Sequence, residues 1–146
     1  MDRSVGENFA QAMRAKMEKK EYLDLSSFDS IMADEVVLYT PRFWKPITDR
    51  NWMIGILHMI PQAIEGFTYK RHWVDGTEVF MEFVGNVGKY TLQGLDIFTL
   101  NEEGKIKELT VMVRPPNALA ALGEVEDKML HQLFGVSSQA EFKQKA

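Results

Sequence analysis

Asp96 is the residue whose surroundings most suggest chemistry, because it is a carboxyl group inside an apolar, strand-like segment. Its neighbours are Leu95 and Ile97, and strand alternation places it on the same face as Phe98. A carboxyl group in such surroundings loses hydration, which disfavours its charged form and raises its pKa. We therefore predict a pocket acid that donates to, or accepts from, a ligand oxygen. The alternative is an aspartate whose partners are backbone groups or a neighbouring side chain.

His72 is the second candidate, because an imidazole titrates near neutral pH and can act as a general base or polarise a carbonyl group. It lies in a strand-like segment just before Asp75-Gly76. Strand alternation does not decide which face of that segment points inward. One face carries Phe67, Tyr69, Arg71 and Trp73, and the other carries Thr68, Lys70, His72 and Val74. His72 is therefore either the catalytic base or a partly exposed structural histidine.

Several other kinds of site are excluded or disfavoured. The chain has no cysteine, which excludes disulfides, thiolate nucleophiles and cysteine-bound zinc. The remaining histidines, His58 and His131, fall on the predicted solvated faces of helices, and no His-x-x-x-His pair exists. We predict neither a metal site nor a cofactor.

Charge and composition narrow the class of protein. The net charge is −4 and the pI is near 5.4, whereas a nucleic-acid binder normally needs a basic face to neutralise phosphates. No apolar run reaches the roughly 18 residues of a membrane span, and the first residues are too polar for a signal peptide. These features predict a cytoplasmic protein that binds neither nucleic acid nor membrane.

The elements that must position Asp96 and His72 follow from hydrophobic periodicity. The first half predicts helices over residues 7–20 and 49–64, a second helix or helical turn over 21–33, and a short strand over 36–39. Thr48 is the expected N-cap of the third helix.

The second half is rich in strands, which the turn signals Asp75-Gly76 and Asn101–Gly104 join into hairpins. Strands are predicted at residues 67–74, 77–84, 89–100 and 105–114. A helix follows at about 117–134, with Gly135 as its C-cap. We predict one α+β domain over residues 1–146, with a core at about 7–114.

Both faces of the predicted sheet are apolar, which indicates that both faces are covered. Helices are expected to cover one face of the sheet, and a second copy of the chain is expected to cover the other face. We therefore predict a homodimer formed through the outer sheet face. The residues that would lie in this interface are Phe80, Val84, Leu95, Ile97 and Met112.

Two segments, Ile31–Pro41 and Asp96–Ile106, resemble the nuclear transport factor 2-like superfamily, and so does the order of elements over about residues 7–114. This group includes ketosteroid isomerases, SnoaL-like polyketide cyclases, scytalone dehydratases and limonene epoxide hydrolases. The resemblance implies a cone-shaped, curved antiparallel sheet wrapped around N-terminal helices, here with an additional C-terminal helix.

The resemblance also implies roles for individual residues. Asp96 matches the protonated aspartate of the ketosteroid isomerases. Their catalytic base precedes the proline that ends the first strand, and Thr40 occupies that position here, ahead of Pro41. A threonine hydroxyl is not appreciably ionised near neutral pH. No tyrosine is present in the first helix either, so steroid isomerisation by the usual mechanism is rejected.

The predicted pocket is apolar. Tyr39 and Trp44 are expected at its mouth, where they either contact a ligand ring or serve as core aromatics. Its wall is predicted to contain Val79, Met81, Phe83, Phe98, Leu109, Val111 and Val113. We expect a small-molecule protein of the SnoaL-like isomerase, dehydratase or cyclase kind, acting on an apolar carbonyl compound. The alternative is a non-catalytic ligand-binding or dimerisation module of the same fold.

Overall fold

A computed structural model describes residues 3–135 of the chain. Three helical segments and a strand come first, and a strand-rich half and a long helix follow. The helices are α1 (Arg3–Glu18), α2 (Ser26–Asp29), α3 (Arg50–Ala63) and α4 (Pro116–Phe134). The strands are β1 (Met32–Tyr39), β2 (Glu65–Asp75), β3 (Glu78–Val87), β4 (Tyr90–Leu100) and β5 (Ile106–Arg114).

The five strands form one curved sheet in the order β1-β5-β4-β3-β2. Strands β2 to β5 make the predicted antiparallel meander, while β1 joins the edge parallel to β5. Both predicted turns are present, and Gly76 and Gly104 adopt positive φ angles of 58° and 79° within them. Glycine occupies these conformations without the steric cost that a Cβ atom brings.

Of the two forms predicted for residues 21–33, a second helix or a helical turn, the structure has the helical turn. These residues form a 3-10 turn at Glu21–Leu23, the single helical turn α2, and the start of β1. Asp24 accepts hydrogen bonds from the backbone N–H and the hydroxyl of Ser26, a local arrangement that competes with helix formation. The first strand is longer than predicted because Met32 and Ala33 are buried and belong to it.

The N-cap of α3 is Asp49 rather than the predicted Thr48. Asp49 has extended backbone angles, and its carboxylate accepts a hydrogen bond of 3.0 Å from the backbone N–H of Trp52. Thr48 is exposed and precedes the cap. A carboxylate at this position also suits the positive end of the helix.

Helices α1 and α3 cover the inner face of the sheet. Phe9 and Met13 of α1 are buried as their spacing predicts, and the Phe9 ring meets Phe98 of β4 edge to face at 4.9 Å. Burying one such side chain stabilises the fold by about 1.5–3 kcal/mol. The helix layer therefore anchors one face of β4, the strand that carries Asp96.

Helix α4 packs back onto the domain. Its Ala118, Leu122 and Leu130 are buried, and the Phe134 ring stacks on Trp52 of α3 at 5.1 Å. Gly135 ends the helix in a left-handed conformation, as predicted. No helix within residues 3–135 combines the length and apolarity needed to cross a membrane.

Candidate functional site

A cavity of about 520 Å³ lies between the inner face of the sheet, the helices and the loop that joins β1 to α3. Its size is in the range of small-molecule sites. The wall is mostly apolar. Of the wall residues predicted from the sequence, those that line it are Phe83, Asp96, Leu109, Val111 and Val113.

Asp96 lies in this wall and is bound by a tyrosine. The Tyr69 hydroxyl donates a hydrogen bond of 2.8 Å to Asp96 Oδ2, and both residues are buried. Burial raises the pKa of Asp96 to about 7, although the hydrogen bond from Tyr69 acts in the opposite direction. Burial and the neighbouring Asp96 carboxyl also raise the pKa of Tyr69 well above its usual value. Near neutral pH, Asp96 can therefore carry a proton at the cavity wall.

Tyr69 reaches this position because β2 contains a bulge. Tyr69 pairs with Phe83, but Arg71 pairs with Glu82, so one residue of β2 has no counterpart in β3. Beyond the bulge the side-chain parity is reversed. Tyr69 and His72 thus both point to the inner face, which strict alternation forbids.

A second polar group lines the cavity from helix α4. Glu126 is 8% exposed, and its Oε2 atom accepts a hydrogen bond of 3.1 Å from Arg42 Nη1. Asp127 binds both terminal nitrogens of the same guanidinium, at 3.0 and 3.1 Å. Burial raises the pKa of Glu126, and the charge and hydrogen bond of Arg42 oppose that shift.

Comparison with known proteins identifies the family. The SnoaL-like domain family matches residues 10–109. The chain belongs to this family. No curated protein sequence matches it significantly.

Solved structures support the same assignment. A steroid delta-isomerase from Pseudomonas aeruginosa is 27% identical, with a TM-score of 0.81 over 93% of this chain and 98% of that one. An uncharacterized bacterial protein with a cystatin-like fold from Silicibacter pomeroyi is 26% identical, with a TM-score of 0.75 over 91% and 89%. An NTF-2-like protein of unknown function from Burkholderia xenovorans is 18% identical, with a TM-score of 0.62 over 75% and 85%. This SnoaL-like protein therefore has the predicted nuclear transport factor 2-like fold.

The structure does not bring His72 to the cavity of this SnoaL-like domain. Its Nδ1 atom receives a hydrogen bond of 3.1 Å from Arg14 Nε, and its Nε2 atom lies 3.0 Å from a Glu7 carboxylate oxygen. Arg14 also donates to the Tyr69 carbonyl oxygen at 2.7 Å. His72 thus ties helix α1 to β2, which matches the structural alternative rather than a catalytic base.

Other predicted pocket residues also lie elsewhere. Val79, Met81 and Phe98 are on the inner face, but they are fully buried in the core and do not line the cavity. Tyr39 and Trp44 are outside the lining, and Trp44 is 98% exposed. Inward parity was sufficient to place Val79, Met81 and Phe98 in the core, but helix packing decides which part of the inner face remains open.

Thr40, at the position of the missing base, lines the cavity. Its Oγ1 atom accepts hydrogen bonds from the backbone N–H groups of Arg42 and Phe43, at 3.1 and 3.2 Å. The hydroxyl therefore caps the turn that leads to Arg42. This contact positions the guanidinium, whereas Thr40 itself is unable to accept a proton.

Sequence reasoning missed three functional groups, namely Tyr69, Arg42 and Glu126. The sequence predicted that Tyr69 lies in a strand, but the face to which its side chain points depends on the bulge. Glu126 had a usable signal, because it falls one helical turn after Leu122 and before Leu130, on the apolar stripe of α4. The fold and the cavity support a pocket protein of the ligand-binding or isomerase type.

Proposed function

We propose that this protein binds an apolar, carbonyl-bearing compound and promotes proton transfer next to its carbonyl group. The observation that carries the proposal is the hydrogen bond between Tyr69 and Asp96 in the wall of an apolar cavity. Asp96 is the pocket acid, and Tyr69 orients it. The reaction class is that of the isomerases, dehydratases and cyclases of this fold.

The hydrogen-bond pattern favours an oxygen ligand. Tyr69 occupies Oδ2, while no other described residue donates to either oxygen of Asp96. A protonated Asp96 therefore carries its proton on Oδ1, where it can donate to a ligand oxygen. Charge that develops on that oxygen would be stabilised by a donor already fixed in a dry site.

Similarity to a steroid delta-isomerase supports a carbonyl compound as the ligand class. Thr40 stands where the ketosteroid isomerases have their base, and its hydroxyl is engaged by two backbone N–H groups, so catalysis needs another proton acceptor. The second candidate function is therefore ligand binding without catalysis. A carbonyl compound that binds but is not turned over would favour it.

A fluorescence titration with 2-naphthol tests the proposed ligand class, because this phenol resembles the enol of a bicyclic ketone. We expect Asp96→Leu to weaken binding by about tenfold, since it removes one hydrogen bond from a buried oxygen. Tyr39→Phe, which changes a tyrosine outside the cavity, is the control and should bind normally. Equal affinity of Asp96→Leu and the wild type would refute the role of Asp96.

We also propose that the protein forms a homodimer through the outer sheet face. Phe80 pairs with Ile97 and Leu95 pairs with Met112 on that face, where Met112 is 55% exposed. Trp73 on the same face is 47% exposed. Large apolar side chains that are half-exposed on one sheet face favour an interface there.

A further inference from the structure

Glu126 is a second carboxyl group in the wall of the cavity, and it differs from Asp96 in its partners. Its Oε2 atom accepts from Arg42, and among residues 3–135 no group donates to Oε1. Asp96, in contrast, has a neutral tyrosine as its partner and no cation in hydrogen-bond contact. Asp96 therefore has a neutral partner, whereas Glu126 has a cationic partner at one oxygen and its other oxygen available.

The guanidinium that holds Glu126 is itself held in place. Asp127 binds it through two nitrogens, in the paired geometry that gives arginine–carboxylate contacts their directional strength. Gly123 leaves room for it on α4, because a Cβ atom at this position would lie 2.9 Å from Arg42 Nε. Ile47 pairs with Leu38 through two backbone hydrogen bonds, and this contact closes the loop that carries Arg42.

Few side chains of the described cavity wall are able to accept a proton from a ligand. Arg42 does not deprotonate in proteins, and Lys45 is an exposed ammonium. Asp127 is half-exposed and has both oxygens engaged by Arg42. Glu126, which is buried and has a free oxygen, remains as the acceptor.

We propose that Glu126 is the general base of this site, an inference that rests on the function proposed above. Its Oε1 atom takes a proton from the carbon next to the ligand carbonyl group. The electron pair of that C–H bond forms a C=C bond, the π pair of the C=O bond moves onto the oxygen, and that oxygen receives the hydrogen bond or proton of Asp96. Return of the proton from Glu126 to carbon, with return of the oxygen's proton to Asp96, restores both groups.

The electrostatic surroundings fit this division of roles. Burial raises the pKa of Glu126, which strengthens it as a base, while the charge and hydrogen bond of Arg42 favour its ionised form. The other charged or titratable residues of the described cavity wall are Asp127 on the same helix, Lys45 on the loop, and Asp96 and Tyr69 on the sheet. A cationic partner at one carboxyl group and a neutral partner at the other suit an acid–base pair.

Deuterium exchange into 2-tetralone in D₂O, followed by proton NMR, tests the base directly. This bicyclic ketone yields an enolate that 2-naphthol resembles, so both probes report on the same complex. We expect the wild type to accelerate exchange and Glu126→Gln to lose at least about 100-fold of that rate. Its 2-naphthol affinity should stay within about threefold of the wild type.

Glu124→Gln is the matched control, because Glu124 is an exposed glutamate on the same helix outside the cavity lining. It should exchange at the wild-type rate.

The pH profile of the exchange rate separates the roles of Glu126 and Asp96. Glu126→Gln should lose the rise in rate at low pH, while Asp96→Asn should lose the fall in rate near pH 7.

Three results would overturn the assignment. The first is wild-type exchange by Glu126→Gln, and the second is 2-naphthol binding by the wild type without any accelerated exchange. The third is a loss of 2-naphthol affinity in Glu126→Gln that equals its loss of rate, which would give Glu126 a structural role. Failure of the wild type to bind 2-naphthol would instead refute the proposed function itself.

Discussion

Tyr69 and Asp96 are joined by a hydrogen bond of 2.8 Å although their strands, β2 and β4, are separated by β3. Phe83 of β3 pairs with Tyr69 on one side and with Gly94 on the other. The ring of Phe83 lies over Gly94, where a Cβ atom would be 2.0 Å from it. The side chains of Tyr69 and Asp96 therefore meet across the inner face of strand β3.

Asp96→Asn should change how stability depends on pH. The pKa of Asp96 rises from 3.8 to about 7 on folding, so its contribution is fully present below the unfolded pKa and is lost as pH rises through about 7. The maximum effect is about 4 kcal/mol. Urea melts at pH 5 and pH 8 should show that Asp96→Asn gains stability relative to the wild type at the higher pH.

The opposite result is informative for the same experiment. A loss of several kcal/mol for Asp96→Asn at pH 8 would mean that Asp96 is ionised and paired in the folded protein. The site would then have no demonstrated acid. Ligand binding without catalysis would become the better account of the cavity.

Tyr69→Phe should raise the pKa of Asp96 further, because the Tyr69 hydrogen bond stabilises the carboxylate. It should also cost about 1 kcal/mol of stability, the usual net value of a hydrogen bond. NMR titration of the Asp96 side-chain carboxyl carbon measures the first effect. Tyr39→Phe should leave the titration unchanged, and an unaltered midpoint in Tyr69→Phe would contradict the contact.

Gly94→Ala should destabilise the protein by about 1–3 kcal/mol, because the added Cβ atom displaces the buried Phe83 ring. Phe83→Leu in the same chain should recover part of this loss, since the shorter side chain no longer reaches the alanine. Denaturant melts of the two single variants and the double variant form the cycle. Additive losses would show that the two positions do not interact.

Periodicity and turn residues predicted the meander and the residues of β3 to β5 that share a face with Asp96, and the family resemblance implied that this face points inward. These features depend on local alternation and on glycines that the turns require. For residues 21–33 the sequence left a helix or a helical turn open, and the turn forms because Asp24 and Ser26 make local hydrogen bonds that apolar spacing does not reveal. Local hydrogen bonds of this kind override a helical pattern.

The site was only partly predictable for a different reason. The bulge in β2 reverses side-chain parity after Tyr69, and a single inserted residue leaves no mark on the hydrophobic pattern. Arg42 and Glu126 meet only because a loop and a distant helix share one wall. Contacts so far apart in sequence depend on the completed fold, so Asp96 was recognisable and its partners were not.

Met112→Lys should dissociate the proposed homodimer. The new ammonium would lie on an apolar face beside Leu95, its partner across the strands, and next to the cationic Arg114 and Arg71 of the same groove. Light scattering measures the mass in solution. Trp44→Lys, a change at a more exposed apolar residue outside the sheet, should leave the mass unaltered. A wild-type mass of 16.8 kDa at high micromolar concentration would contradict the dimer.

His72→Leu should lower stability without lowering the rate of proton exchange at 2-tetralone. The imidazole is 15% exposed and bridges Arg14 of α1 to a Glu7 oxygen, and it does not line the cavity. Removing it leaves the partly buried Arg14 without one acceptor, which should cost about 1–3 kcal/mol. Urea melts and deuterium exchange on the same variant separate the two effects. A loss of exchange rate with unchanged stability would return His72 to the role of catalytic base, and Glu126 would lose that role.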